Sequence, residues 1–503
     1  MIMAFDTSTS ININLLIQSD VVWILIVGFL IAFVLSFAVG ANDVANSFGT
    51  SVGANVLSLR QAFCLATIFE TLGAVLLGSA VAKTISAEVV NLSLYNSTPE
   101  VLMVGQLAVL TACAVWLLIA TALKLPVSTT HSIVGAMVGF QLVTVGTSGV
   151  QWRYLFYIAG SWIISPILAG GFAAFLNFIL LYTIVKKEDP FHSGLKTLPA
   201  WYGVVILVNA LSILLSAQNW FTTFEIPWYV IVAVSVGCAM ITSFIVCIIV
   251  VPQLGNYDNE IYPLTNYEQL TPEEDRETDS HNPSDAINAS ESSNKSQETK
   301  GTNSSSTKQL DNGGLRSKQD AGQGPRTVRE DPAVKKICGP LQILSAVFSA
   351  FAHGSNDVSN SVAPLIVLWN VYSYRAVPSE LDISVWMFLY GGFGLSVGLW
   401  ILGKRVIDTV GERITTLSSS RGFAIELGSA AVVLMASNIG IPISTTHSKI
   451  GAVAALGCFG NGEGVNLMLL CNIAVAWLVT LPFVAGLSAF ITYIFQLSIL
   501  PAN

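Results

Sequence analysis

Apolar runs of 18 or more residues recur along this chain, and no other feature constrains its fold so strongly. Crossing about 30 Å of hydrocarbon takes roughly 20 apolar residues in a helix. With 53% of 503 residues apolar and 11% charged, an all-α polytopic membrane protein with the lipid bilayer as its surroundings is expected. Runs of suitable length lie near 21–41, 62–82, 100–122, 127–147, 153–185, 201–217 and 228–250, then near 341–368, 384–403, 422–440, 443–460 and 465–496. That makes about twelve transmembrane segments, several in the second half short or interrupted by Gly and Pro. The first run, Val21 to Ala41, follows residues with Asp6 and Asp20 but no Lys or Arg. It lacks the basic start of a cleaved signal peptide and is expected to remain as a span. The seven cysteines, Cys64, Cys113, Cys238, Cys247, Cys338, Cys458 and Cys471, lie mostly in or beside apolar runs without a CxxC. They are expected to be packing residues rather than a zinc site or disulfide framework.

Charge divides the chain. Residues 251–336 hold 15 Asp and Glu and 10 Lys and Arg, out of totals of 31 and 23. This stretch is rich in Ser, Asn, Gly and Gln and too poor in large apolar residues to offset its ordering entropy. It is expected to be a disordered loop, regulatory or merely linking, between membrane halves 1–250 and 337–503. With the amino terminus outside, inner loops would hold Arg60, Lys124, Lys186, Lys187, Lys196, Lys404, Arg405, Arg413 and Arg421, and outer ones Lys83, Arg153 and Arg375. Nine against three satisfies the positive-inside rule. That orientation puts the long loop in the cytosol and the glycosylation sequons at Asn91 and Asn96 outside.

Two motifs occur twice in the same order. "GANDVANS" at Gly40 and "GSNDVSNS" at Gly354 share six of eight letters at an offset of 314. "PVSTTHSIVGA" at Pro126 and "PISTTHSKIGA" at Pro442 share eight of eleven at 316. The chain is therefore expected to be an internal duplication, with repeat motifs at 40–136 and 354–452. An odd number of passes separates the copies, which predicts inverted repeats whose binding sites lie on broken or re-entrant helices at their interface.

The hydroxyl-rich copies suit an anion. Pro126 and Pro442 interrupt a helix, and the hydroxyls that follow favour a new helix start. A helix beginning inside the membrane presents free N–H groups and the positive end of its dipole. Ser128, Thr129 and Thr130 with Ser444, Thr445 and Thr446 would then cage a tetrahedral oxyanion, unless they only bond their own or neighbouring helices. His131 and His447 either orient hydroxyls, bind substrate or pack.

The acids suit a cation. A carboxylate at a helix centre costs about 2.5 to 3.5 kcal/mol and is normally paired or functional. Asp43 and Asp357, flanked by Asn42, Asn46, Asn356 and Asn360, would give an all-oxygen site for a hard cation if the helix breaks at Gly40 or Gly354. Glu70 and Glu426 are further acids in apolar segments, for cation binding or interhelical hydrogen bonding. Lys449, whose counterpart is Ile133, either pairs with an acid or touches the anion.

At these motifs the chain resembles the PiT family of inorganic phosphate transporters, through "GANDVANSFGTSVG", "ETLGAVLLG", "LPVSTTHSIVG", "HGSNDVSNSVAPL", "IELGSA" and "ASNIGIPISTTHSKIGAV". The resemblance implies a plasma-membrane symporter of sodium and dihydrogen phosphate with twelve passes, outside termini and a cytosolic loop. It implies no cofactor beyond the co-transported sodium, no enzyme activity and no nucleic-acid partner. It leaves homodimerisation and loop partners open. By position, Asn42, Asp43, Glu70, Asn356, Asp357 and Glu426 resemble the sodium and transport residues, and the flanking Asn46 and Asn360 are expected to join them as sodium ligands. The two Ser-Thr-Thr sets, with Asp43 and Asp357, resemble the phosphate site. Gln106 stands where many animal members have Glu, so it could coordinate sodium without carrying charge or a proton.

Three other readings compete with sodium–phosphate symport. One is a proton-driven phosphate carrier or a carrier of another oxyanion such as sulfate or arsenate. Another is an intramembrane Ser/His hydrolase, disfavoured by the lack of a GxSxG elbow. The third is a receptor or scaffold acting through its loop, which deletion of Thr271 to Pro325 would test.

Overall fold

The computed structural model describes residues 18–217, 226–261, 330–410, 414–459 and 464–499. Fourteen α-helices run through them: α1 Gln18–Gly53, α2 Leu59–Lys83, α3 Pro99–Ala122, α4 Thr129–Thr144, α5 Trp152–Leu180, α6 Pro190–Ala217, α7 Trp228–Ile245, α8 Val251–Ile261, α9 Pro332–Tyr374, α10 Val385–Leu402, α11 Lys404–Asp408, α12 Ser419–Asn438, α13 Thr445–Phe459 and α14 Leu467–Ile499. No strand occurs among the described residues, only an isolated antiparallel bridge between Val90 and Val150. Nine of these helices, α1, α2, α3, α5, α6, α7, α9, α10 and α14, are long and apolar enough to cross a bilayer. The expected crossings at α4, α12 and α13 are not among them. With 16 and 15 residues, α4 and α13 reach only about 24 and 22 Å at 1.5 Å per residue.

The short helices belong to two hairpins. Helices α3 and α4 are tied at their base by the Val90–Val150 bridge and by Asn91 N–H donating to Gly149 O at 3.4 Å. Helices α12 and α13 are tied by Asn466 N–H donating to Ile414 O at 2.9 Å and Thr415 Oγ1 donating to Gly464 O at 3.3 Å. Each hairpin therefore returns to the side it left. Just past α3 stands Lys124 at φ 60°, and just past α12 stands Gly440 at φ 70°. Both take the left-handed conformation that ends a helix, leaving the Pro126 and Pro442 segments extended.

Helix α1 packs on α10 and α3, while α9 packs on α2 and α12; α4 lies on α14 and α13 on α5. The same scheme thus recurs with partners exchanged between the halves. Contrary to the expected breaks at Gly40 and Gly354, α1 and α9 run straight through both glycines. Those positions serve close approach: an added Cβ would lie 2.0 Å from Leu395 O at Gly40 and 2.0 Å from Glu70 O at Gly354. The helices persist past their Asn and Asp residues because facing helices supply hydrogen-bond partners in the interior.

By their contacts, residues 1–255 and 325–503 group into one compact unit. Most of the polar loop, 262–329, lies outside the described residues, as does Arg413. Both ends of the expected 251–336 loop are helical, through α8 and the start of α9. Asp331 caps α9 by accepting from Ala333 N–H at 2.8 Å, and Val334 and Ile337 are buried. Of the cysteines, only Cys113 and Cys338 are buried; the other five are exposed on the outer helix faces rather than packed.

Candidate functional site

The two hairpin tips meet. Thr130 Oγ1 donates to Ile443 O at 2.7 Å, and Thr446 Oγ1 donates to Val127 O at 3.0 Å, so each tip bonds the extended segment of the other. Ser128 and Ser444 take up the role expected of hydroxyls at a helix start. Each accepts from a first-turn amide, His131 N–H at 3.2 Å and His447 N–H at 3.1 Å. The remaining first-turn amides are left without intrahelical partners by helix geometry, and with the dipole they favour an anion.

Helices α1 and α9 bind these tips crosswise. Asp43 accepts from Thr129 Oγ1 at 2.5 Å, and Asp357 accepts from Thr445 Oγ1 at 3.0 Å, each within its own half. Asn46 Nδ2 donates to Thr446 Oγ1 at 2.9 Å and Asn360 Nδ2 donates to Thr130 Oγ1 at 3.1 Å, each across to the other half. One turn apart on a helix, Asp43 and Asn46 share a face, so one helix holds both tips.

Asn42 and Asn356 do different work. Asn42 Nδ2 donates to Thr121 Oγ1 at 3.1 Å and Leu125 O at 3.0 Å, and its Oδ1 accepts from Val127 N–H at 3.1 Å. Its amide latches the extended linker, with its Nδ2 donating twice and its Oδ1 already accepting one bond. Asn356 Nδ2 likewise donates to Ile443 O at 2.8 Å, but its Oδ1 is buried without a partner, as are Asn46 Oδ1 and Asn360 Oδ1. Such orphaned carbonyl oxygens are the acceptors a hard cation seeks. Gln106 on α3 is fully buried, and neither amide atom has a hydrogen-bond partner.

The glutamates are separated by their partners. Glu70, on α2, accepts from Ser47 Oγ at 2.6 Å. Glu426, on α12, is in a buried ion pair with Lys449 and accepts from Thr50 through its other oxygen. Among the described residues no three His, Cys, Asp or Glu side chains converge on a metal position. A sodium ion here would therefore combine single carboxylates with amide, hydroxyl or carbonyl oxygens.

The histidines lie side by side between tryptophans. His131 stacks on Trp162 with centroids 3.8 Å apart, His447 meets Trp477 edge-on at 3.7 Å, and the imidazoles are 4.6 Å apart. Trp477 Nε1 also donates to Pro126 O at 3.2 Å. Sequence reasoning missed Ser47, Thr50, Thr121, Trp162 and Trp477. Ser47 and Thr50 carried a signal, since they continue the helical face of Asp43 at i+4 and i+7; the tryptophans, on distant helices, carried none. The sequons lie apart from the site, between α2 and α3, with Asn96 exposed and Asn91 half-buried. A groove of about 680 Å³ between α2 and α10, lined by Thr67, Leu72, Phe393 and Trp400 among others, has no charged lining and is not the candidate site.

The profile of the phosphate transporter family matches residues 39–488. The chain is 34% identical to sodium-dependent phosphate transporter 1-A of Danio rerio, over 96% of each chain. It is 32% identical to sodium-dependent phosphate transporter 2 of Homo sapiens, over 96% of this chain and 99% of the relative. A solved structure titled "The sodium-dependent phosphate transporter" superposes with a TM-score of 0.74 at 32% identity, covering 95% of this chain and all of the other. A match over nearly the whole chain, with both hairpins inside it, makes this a transporter rather than an enzyme: the chain belongs to the phosphate transporter family.

Proposed function

We propose that this protein is a sodium-coupled symporter carrying dihydrogen phosphate into the cell, the anion held between the α4 and α13 tips. The observation that carries the reading is the crosswise bonding of the two tips by Asp43, Asn46, Asp357 and Asn360. A threonine hydroxyl has one proton to donate. If Thr129 and Thr445 turn theirs to phosphate, Asp43 and Asp357 lose a donor in a buried setting, where an unsatisfied group costs about 1 to 3 kcal/mol or more when charged. Sodium at those carboxylates offsets that loss and screens them from the anion. Cation and phosphate then bind better together than alone, which is the thermodynamic requirement for coupling.

The proposed sodium ligands are Asp43, Asp357 and Glu70 with the free oxygens of Asn46, Asn356, Asn360 and Gln106. Asn42 acts as a latch for the linker, and Glu426 is set apart by its ion pair. Two inverted repeats, a plasma-membrane location, outside termini and a cytosolic loop complete the reading, supported by the duplicated motifs and the loop charges.

The test is uptake of radiolabelled phosphate by liposomes containing the full-length protein, with sodium or choline outside and with a proton gradient as a separate arm. Uptake is expected to require sodium and to be lost in Asp43→Asn and in Asp357→Asn. Uptake driven equally by protons in choline, or sulfate competing as well as phosphate, would overturn the reading.

A further inference from the structure

The duplication relates the two hairpins residue by residue. At the offset of 316 that pairs Pro126 with Pro442, Lys124 in its left-handed conformation pairs with Gly440 in the same conformation. Thr121, which accepts from Asn42 on α1, pairs with Ser437, which accepts from Ser355 on α9. By the same offset Lys449 stands where the first hairpin has Ile133, and Glu426 where it has Leu110.

These two departures touch one another. Lys449 Nζ contacts Glu426 Oε2 with both side chains fully buried, and Thr50 of α1 donates to Glu426 Oε1. An apolar pair in one hairpin is thus an ion pair in the other. Asp43, Glu70 and Asp357 are bonded differently. Their hydrogen bonds come from Thr129, Asn46, Ser47, Thr445 and Asn356, all neutral, and among the described residues no Lys or Arg forms a salt bridge with them.

We propose that Lys449 is a tethered cation that permanently neutralises Glu426, so that Glu426 takes no sodium ion and the exchangeable cations of the site belong to Asp43, Glu70 and Asp357. The inference rests on the sodium-coupled reading above and deepens it by dividing the buried acids into one that is internally paired and three that are not. Glu426 then acts as a positioning residue, joining α12, α13 and α1 through Lys449 and Thr50. Removing either partner alone strands a buried charge, whereas removing both in favour of apolar groups of similar size is tolerated in many proteins. The first hairpin already supplies the apolar pair.

The experiment is thermal unfolding of the purified full-length protein in sodium chloride against choline chloride at equal ionic strength. Sodium is expected to raise the melting midpoint of the wild type, since a ligand of the folded state stabilises it, and to lose that effect in Asp43→Asn. The double variant Glu426→Leu/Lys449→Ile is expected to keep the wild-type sodium shift, while Glu426→Leu alone and Lys449→Ile alone yield less folded protein. Should the apolar pair fail to fold, Glu426→Gln/Lys449→Gln, which keeps hydrogen-bonding groups without charge, is expected to fold and give the same shift. A double variant that folds without the sodium shift, a wild type with no shift, or failure of both doubles to fold would overturn the proposal. Because the readout does not require transport, absence of phosphate uptake would refute the symport reading while leaving the unfolding comparison to decide the ion pair.

Discussion

Gln106, like Gln342, is a buried glutamine whose amide is wholly unsatisfied. It sits on α3, fully buried, with neither amide atom bonded. An amide left so costs about 1 to 3 kcal/mol of folding stability, a burden that makes sense if a passing cation uses its carbonyl oxygen. Gln106→Leu should therefore raise the melting midpoint in the absence of sodium. The same substitution should raise the sodium concentration needed for half-maximal uptake. Together the two measurements separate a ligand from a packing residue, since a packing residue would leave the sodium dependence untouched. The Thr129–Asp43 and Thr445–Asp357 bonds make the complementary point: each hydroxyl proton now serves a carboxylate, and must be released before it can serve an anion.

At the scale of the element, the hairpins depend on how α3 and α12 stop. Gly440 adopts φ 70° with no side chain to clash, but Lys124 adopts φ 60° with one. Left-handed backbone costs an L-residue roughly 1 to 2 kcal/mol relative to its right-handed form, part of which glycine recovers before its own larger unfolded-state entropy is counted. Lys124→Gly, which copies the second hairpin, should therefore stabilise the protein by about 0.5 to 1 kcal/mol. A melting midpoint that rises checks it. The lysine backbone donates its N–H to Thr121 O at 3.1 Å and accepts from Thr409 Oγ1 at 3.1 Å, and glycine keeps both bonds.

For the whole molecule, charge and orientation set what transport can accomplish. If two sodium ions accompany one monovalent phosphate, one net positive charge enters per cycle, worth about 1.4 kcal/mol at roughly 60 mV. That alone supports nearly tenfold accumulation. The proposed orientation places both sequons outside, and their surroundings differ. Asn91 Oδ1 accepts from Ser93 Oγ, the serine of its own sequon, at 2.7 Å, and the residue is half-buried, whereas Asn96 is exposed. In a eukaryotic host the glycan should sit on Asn96. Asn96→Gln should abolish the gel shift produced by endoglycosidase, and Asn91→Gln should preserve it.

By itself the sequence determined the solvent, the helical class, the two doubled motifs and the two hydroxyl-rich helix starts. Hydropathy, proline and capping act within a few residues, so they are legible in the local string: Ser128 and Ser444 cap as their types require. Only the tertiary structure decided that Gly40 and Gly354 admit a neighbouring backbone instead of breaking a helix, and that Asn42 secures a linker. It alone separated Glu70, held by a serine, from Glu426, held by Lys449. The reason is distance along the chain: a buried polar group is defined by the partner that satisfies it, and here that partner stands up to 400 residues away, as from Asn46 to Thr446. No local pattern carries that pairing.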